Sequence, residues 1–221
     1  MTQTLEQIRS TLAAMGNHSH TTEKFQNDLM KAARSYAGEG NILVEVGCFR
    51  GGLTAQFAAI GKELNQHLHV IDIDPGYMEV ARQSVEATTG TENVTFHLCD
   101  LATFAQKAGK GANISLALID GDHFYNGVVA DIRALLSMKP KPYGVAFHDY
   151  SLRYATPEGK DIRVDRAIRD TLGHDFPHVQ IGEISRPGGP LRTEPGQDGH
   201  FHEVGASEGV LVELRNLATN A

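Results

Sequence analysis

Apolar positions change their period near residue 41. Before it, Phe25, Leu29, Ala32 and Tyr36 recur at helical spacing behind the helix-starting pair Thr21-Thr22, and residues 2–40 read as two helices. After it, short apolar runs alternate with amphipathic stretches. Ile42–Val46 reads as a buried strand, and Leu53, Phe57, Ile60 and Leu64 then mark one helix face. His69–Ile71 is the next strand, and Pro75 falls just inside the following helix, where its missing N–H costs nothing. Val94–Leu98 and Ile114–Ile119 are further strands. Val128, Ile132, Leu135 and Leu136 give another helix face, and Tyr143–Phe147 a fifth strand.

Strands alternating with helices imply right-handed βαβ units and a parallel sheet covered on both faces. Beyond Asp149 the pattern weakens. A charged helix is expected over about 160–172, with strands near 178–183 and 208–214. Between those strands Arg186–Gly209 is rich in Gly, Pro and His, a long loop of the kind that is usually functional. No repeat or linker divides the chain, so 1–221 reads as one domain: helices at 1–40, a core at 41–150, and strands with a long loop at 151–221.

Composition narrows the partners. The formal net charge is −7 and no Lys/Arg block offsets it, which argues against a nucleic-acid backbone. No apolar stretch approaches bilayer length, and the opening residues lack the basic-then-apolar order of a secretory signal. The two cysteines, Cys48 and Cys99, have neither disulfide nor metal-ligand spacing, so a reducing cytoplasm is the expected compartment. Oligomeric state is open, a homo-oligomer included.

In an open parallel sheet, ligands bind beyond the carboxyl ends of the strands, where the strand order switches. Glu45-Val46-Gly47-Cys48-Phe49-Arg50-Gly51-Gly52 closes the first strand with glycines that permit close backbone approach. Asp72 ends the second strand, where a carboxylate suits the two hydroxyls of a ribose. Both features also suit a dinucleotide enzyme. The difference lies at Phe49, which occupies the place of the second glycine in G-x-G-x-x-G; its ring would obstruct a pyrophosphate but not an uncharged thioether linkage.

Val44–Gly51 resembles motif I of the class I S-adenosylmethionine-dependent methyltransferases, and Ile71-Asp72-Ile73-Asp74-Pro75 resembles their ribose-binding motif II. Ile119-Asp120-Gly121-Asp122-His123 and Phe147-His148-Asp149-Tyr150 are similar to motifs of bacterial small-molecule O-methyltransferases, including macrolide-sugar enzymes, and of relatives of catechol O-methyltransferase. The resemblance implies a Rossmann-like α/β three-layer sandwich. Its sheet would be seven-stranded and mostly parallel, with an antiparallel C-terminal strand and an N-terminal helical extension on the substrate side. It also implies that Glu45 and Gly47 line the methionine part of the cofactor, that Asp72 holds the ribose, and that Asp100 and Leu101 flank the adenine. Phe49, Gly51, Ile73 and Asp120 complete the expected cofactor contacts.

Methyl transfer is an in-line displacement at an activated carbon, so the protein supplies alignment and, for a hydroxyl acceptor, proton removal. Asp120 and Asp149 end adjacent predicted strands and offer oxygen ligands to a divalent cation such as Mg²⁺. In the resembling family these positions bind metal. The third ligand departs from the pattern: Tyr150 stands where catechol-type enzymes carry an amide, and His148 where the sugar enzymes carry an acid. Either His148 coordinates and shifts the preference toward Mn²⁺ or another borderline metal, or two acids and waters suffice. His123 matches the proposed base of the macrolide-sugar relatives; alternatively it is a solvated histidine at a helix start. The pairs His18/His20 and His200/His202 read as solvated, and Arg50 either meets an acidic substrate or pairs with a surface carboxylate. The leading expectation is metal-assisted O-methylation of a small hydroxylated molecule. A metal-independent N-methyltransferase with His123 assisting, or a non-catalytic cofactor-binding module, are the alternatives.

Overall fold

The computed structural model describes residues 3–155 and 162–217. Two helices, α1 (Leu5–Ala14) and α2 (Glu23–Ser35), precede the sheet, each started by a threonine whose hydroxyl accepts a backbone N–H of the first turn: Thr4 from Gln7 and Thr22 from Phe25. Then β1 (Ile42–Val46), α3 (Thr54–Glu63), β2 (His67–Asp72), α4 (Pro75–Thr88), β3 (Val94–Leu98), α5 (Leu101–Gln106), β4 (Ile114–Ile119), α6 (Tyr125–Ser137) and β5 (Gly144–Phe147) alternate as expected. The C-terminal part adds β6 (Leu152–Tyr154), α7 (Val164–Leu172), β7 (Val179–Ile184), β8 (His200–His202) and β9 (Ser207–Glu213).

Seven strands form one sheet in the order β3-β2-β1-β4-β5-β9-β7. The first five run parallel, and β9 enters antiparallel to both β5 and β7. Alternate residues of the central strands feed two cores. Leu43, Leu68 and Leu116 pack with Phe25, Leu29 and Phe57 on one face; Val44, Ile71 and Ala117 pack with Phe104, Ile132 and Leu135 on the other. Burial on both faces explains why β4 reads as an unbroken apolar run. The order reverses between β1 and β4, and that opens a crevice at their carboxyl ends.

Three local departures from the expected pattern bear on the site. Strand β2 runs from His67 to Asp72, beginning two residues before the expected His69. The start of the expected helix at 160 lies outside the described residues, and α7 runs from Val164. The long Gly/Pro/His segment is not all loop: β8 lies inside it and pairs antiparallel with β6, His202 opposite Leu152 and His200 opposite Tyr154. A three-residue strand carries too little periodicity to be legible beforehand.

Candidate active site at the carboxyl edge of the sheet

The turn after β1 is shaped by backbone that few side chains tolerate. Gly47, Phe49 and Gly51 all have positive φ, at 87°, 44° and 80°. A Cβ on Gly47 would lie 2.3 Å from the Asp120 carbonyl oxygen, so only glycine lets the ends of β1 and β4 close on each other. A Cβ on Gly52 would lie 2.3 Å from the Ser19 nitrogen; the segment joining α1 and α2 thus packs directly on the turn and brings His20 to it. Asp72 braces the same turn: one carboxylate oxygen accepts the Cys48 N–H at 2.9 Å, the other the Asp74 N–H at 2.9 Å. Cys48 is buried, and burial pushes its thiol pKa up, which suits a packing role.

A cavity of about 890 Å³ runs along this edge. All the residues expected at the cofactor line it except Gly51, which lies beneath, against α4. Glu45 is fully buried there, and its Oε2 has no hydrogen-bond partner; nor has the buried hydroxyl of Thr54. Burial pushes the Glu45 carboxyl up to about 8; the nearby Thr54 hydroxyl, too poorly aligned for a full hydrogen bond, lowers it in part, and the charges of Asp120 and Asp72 add to the rise. Such a group calls for a cationic partner. Ile73 is three-quarters exposed beside the cavity and offers an apolar face, while Leu101 is buried behind it. Asp100 caps α5 through the Thr103 N–H at 2.7 Å. The Phe49 ring lies 4.7 Å from His20 and 5.0 Å from Tyr77, over the cavity rather than in the core.

At the β4–β5 end the cavity meets a cluster of acids and imidazoles. Ligand atoms of Asp120, His123 and Asp149 lie within 4.8 Å of one another. His123 Nδ1 is 3.0 Å from Asp149 Oδ2. Burial lowers the His123 pKa, but the hydrogen bond and charge of Asp149 outweigh it and the net shift is upward. Asp149 holds its position with a φ of 57°, a left-handed conformation unusual for a non-glycine residue and the kind of local strain concentrated at functional sites.

His148 is placed differently from the expectation that it serves as a ligand. Its Nδ1 is 2.7 Å from Asp120 Oδ1 and its Nε2 is 3.3 Å from Glu208 Oε1, and the ring edge rests on Phe25. Both nitrogens are therefore occupied by carboxylates. Burial opposes its charge, yet Asp120 and Asp149 more than reverse that and hold the His148 pKa well above the ordinary value. Asp149 is held well below the usual carboxylate range, burial being outweighed by the two histidines. The imidazole of the candidate ligand group is His123, and His148 stands behind it.

Residues 44–150 match the family model described as a methyltransferase domain. Solved methyltransferase structures share the fold across nearly the whole chain. An O-methyltransferase from Bacillus cereus in complex with S-adenosylhomocysteine is 16% identical, with a TM-score of 0.58 over 94% of this chain and 88% of that one. A putative O-methyltransferase from Klebsiella pneumoniae is 17% identical, with a TM-score of 0.58 over 94% and 87%. The O-methyltransferase TomG from Streptomyces achromogenes, involved in tomaymycin synthesis and solved with S-adenosylmethionine, is 13% identical, with a TM-score of 0.57 over 94% and 87%. No curated protein matches the chain.

Three further residues of the candidate site escaped the sequence reading. Glu208 is fully buried; besides His148, it accepts from the Thr22 hydroxyl at 2.5 Å and the Thr22 N–H at 2.8 Å. Its signal was an acid just ahead of the apolar run of β9. Asp131, nearly two turns into α6, also lines the cavity; burial, then Asp122 and Asp100, pushes its carboxyl up to about 7. His200 lines the cavity from β8. Arg50 donates to the Gly16 carbonyl at 3.4 Å and sits over the Phe49 ring. Among the described residues no helix is long and apolar enough to cross a membrane.

Proposed function

We propose that this chain transfers the methyl group of S-adenosylmethionine to a hydroxyl of a small molecule, with a divalent cation held by Asp120, His123 and Asp149. One observation carries the reading: a single cavity has the orphaned Glu45 carboxylate at its floor and the Asp120–His123–Asp149 group at its end. The donor set fits a small divalent cation, with two carboxylates for any hard ion and one imidazole that favours Mn²⁺ or a similar borderline metal over Mg²⁺. Bound there, the ion would act as a Lewis acid on the acceptor oxygen.

The chain's own residues do the rest. Glu45 accepts the methionine ammonium, Gly47 lets the backbone lie against it, and Asp72 accepts from the ribose hydroxyls. Ile73 and Leu101 cover the adenine, with Asp100 and Asp131 at its polar edge. Phe49 and Tyr77 close over the cofactor and exclude water. Where it is not itself bound to the cation, His123 takes the acceptor hydroxyl proton; the freed oxygen forms the new C–O bond as the C–S bond breaks, and the sulfonium leaves as a neutral thioether. In this reading residues 1–40 contribute the substrate side of one domain, Ser19, His20 and Thr21 being in the cavity wall. The reaction suits a reducing cytoplasm, where Cys48 and Cys99 stay free as they are here.

Calorimetry tests the cofactor half. S-adenosylhomocysteine should bind at micromolar levels, and Asp72→Ala should weaken it by about 1–3 kcal/mol through loss of a charged acceptor. Because Asp72 also braces the turn through Cys48 and Asp74, part of that loss should appear as lower thermal stability of the free protein. Binding of NAD without S-adenosylhomocysteine would end the reading.

Glu45 adds a pH signature. In the free protein its carboxyl titrates at about 8, so at neutral pH it is largely protonated, whereas an ammonium partner requires the carboxylate. Cofactor binding should therefore expel close to one proton near pH 7, and affinity should rise about tenfold per unit between roughly pH 6 and 7.5. Titrations in buffers of different ionisation enthalpy measure this directly. Glu45→Gln should abolish the release; proton-neutral binding by the wild type would refute the assignment.

A further inference from the structure

The two H-x-H pairs, 180 residues apart and expected to be solvated, share one cavity. It has a volume of about 480 Å³, and its polar side chains are His18, Ser19, His20, Arg192, His200 and His202. Leu152 and Phe201 complete it. Every one of those polar groups can donate a hydrogen bond, and among the described residues no carboxylate lines the space, in a chain whose formal net charge is −7. The adjoining cofactor cavity is the opposite: Glu45, Asp72, Asp100, Asp120, Asp131 and Asp149 all face it. Ser19, His20, Leu152 and His200 line both, so the two spaces are continuous.

We propose that the histidine cavity is an acceptor subsite for an oxyanion group, a carboxylate or a phosphate, carried by the same molecule whose hydroxyl is methylated. The inference rests on the methyltransferase reading for the hydroxyl end only. Three features build the site. Arg192 is fixed rather than free: its guanidinium donates to the His200 carbonyl through Nε at 3.1 Å and Nη2 at 2.8 Å, and its own carbonyl accepts the His202 N–H at 2.8 Å. Asp198 pairs with the same Nη2 at 2.5 Å and lies outside the lining, steadying the guanidinium without entering the space. His202 is oriented by Ser151, whose hydroxyl is 2.9 Å from Nδ1. Aromatic surface flanks these donors, with His18 and His20 rings 5.6 Å apart, and His20 against Phe49. A planar acceptor would stack there while its anionic end meets the donors. Acids on the cofactor side repel that end and leave the hydroxyl toward His123, so charge alone sets the orientation.

The test uses the full chain and three probes: benzoate, phenyl phosphate and benzamide, the last a neutral analogue of the first. Histidine ring ¹H–¹⁵N spectra follow the titration, with and without S-adenosylhomocysteine. Benzoate or phenyl phosphate should shift the His20, His200 and His202 signals saturably, and benzamide should bind about tenfold more weakly or worse. Binding of only one anion names its source; binding of both leaves the shared oxyanion chemistry. Arg192→Gln should remove the preference over benzamide, Arg192→Lys should keep much of it, and His20→Gln, on an exposed ring, should weaken it with no change in melting temperature. Equal binding of benzamide and benzoate, no saturable shift by either anion, or an unchanged preference in both the Arg192→Gln and His20→Gln proteins would overturn the proposal. Calorimetry of S-adenosylhomocysteine on the same samples decides the cofactor reading separately, since the anion titration does not need it.

Discussion

Asp149→Asn protein is expected to lose essentially all methyl transfer, by roughly 10²–10⁴-fold, the several kcal/mol that a Lewis-acid site supplies. Asp120→Asn is expected to do the same. Each removes one of the two carboxylates from a three-ligand group. Wild-type enzyme dialysed against EDTA should fall to the same level and recover with Mn²⁺ or Mg²⁺; the variants should not recover at any metal concentration. These substitutions are not neutral for the fold. His148 Nδ1 lies 2.7 Å from Asp120 and 3.3 Å from Asp149, in a site with almost no solvent. Removing one partner of a buried ion pair costs about 3–5 kcal/mol, and an amide that keeps the hydrogen bond but not the charge recovers part of that. Asp120→Asn, at the shorter contact, should therefore show the larger fall in melting temperature, measured with metal removed so that ligation does not contribute. Full activity in the EDTA-treated enzyme would transfer the chemistry to a metal-independent route, N-methylation included.

What the sequence reveals of this site follows the range of the interactions involved. The turn after β1, the acid ending β2 and the acids ending β4 and β5 are local: each is fixed by its place at a strand end, and a strand end is visible in the apolar pattern. His148 looked equivalent to a ligand for the same reason, being next to Asp149. What sets its surroundings apart comes from Glu208, 60 residues on, and from Phe25 on α2, contacts that no local window contains. The histidine pairs are exposed or half-buried, but that they face one space was not legible locally: it depends on β6 pairing with β8 and on the Gly52–Ser19 contact. Glu208 left only a faint trace, an acid just ahead of the apolar run of β9; its burial is permitted by the donors of Thr22 and by His148.

His123→Ala is expected to lower turnover by roughly 10²–10⁴-fold while S-adenosylhomocysteine affinity stays nearly constant. Gly121 offers only backbone, and the Asp122 carboxylate accepts the Phe124 N–H at 2.8 Å in the turn just ahead of α6. His123 is then the one side chain past β4 that combines a titrating ring with a place in the acid cluster. The geometry gives it two possible duties, base or third ligand, and the variant separates them. As a base, its loss leaves metal affinity unchanged and turnover low even at saturating metal. As a ligand, its loss weakens metal binding, and part of the turnover returns as metal is raised. Isothermal titration with Mn²⁺ beside steady-state rates over a metal series distinguishes the two. Near-native turnover in the variant would remove both duties at once. Proton removal would then pass to His148, whose Nδ1 already meets Asp120, and His148→Gln would be the protein to assay next.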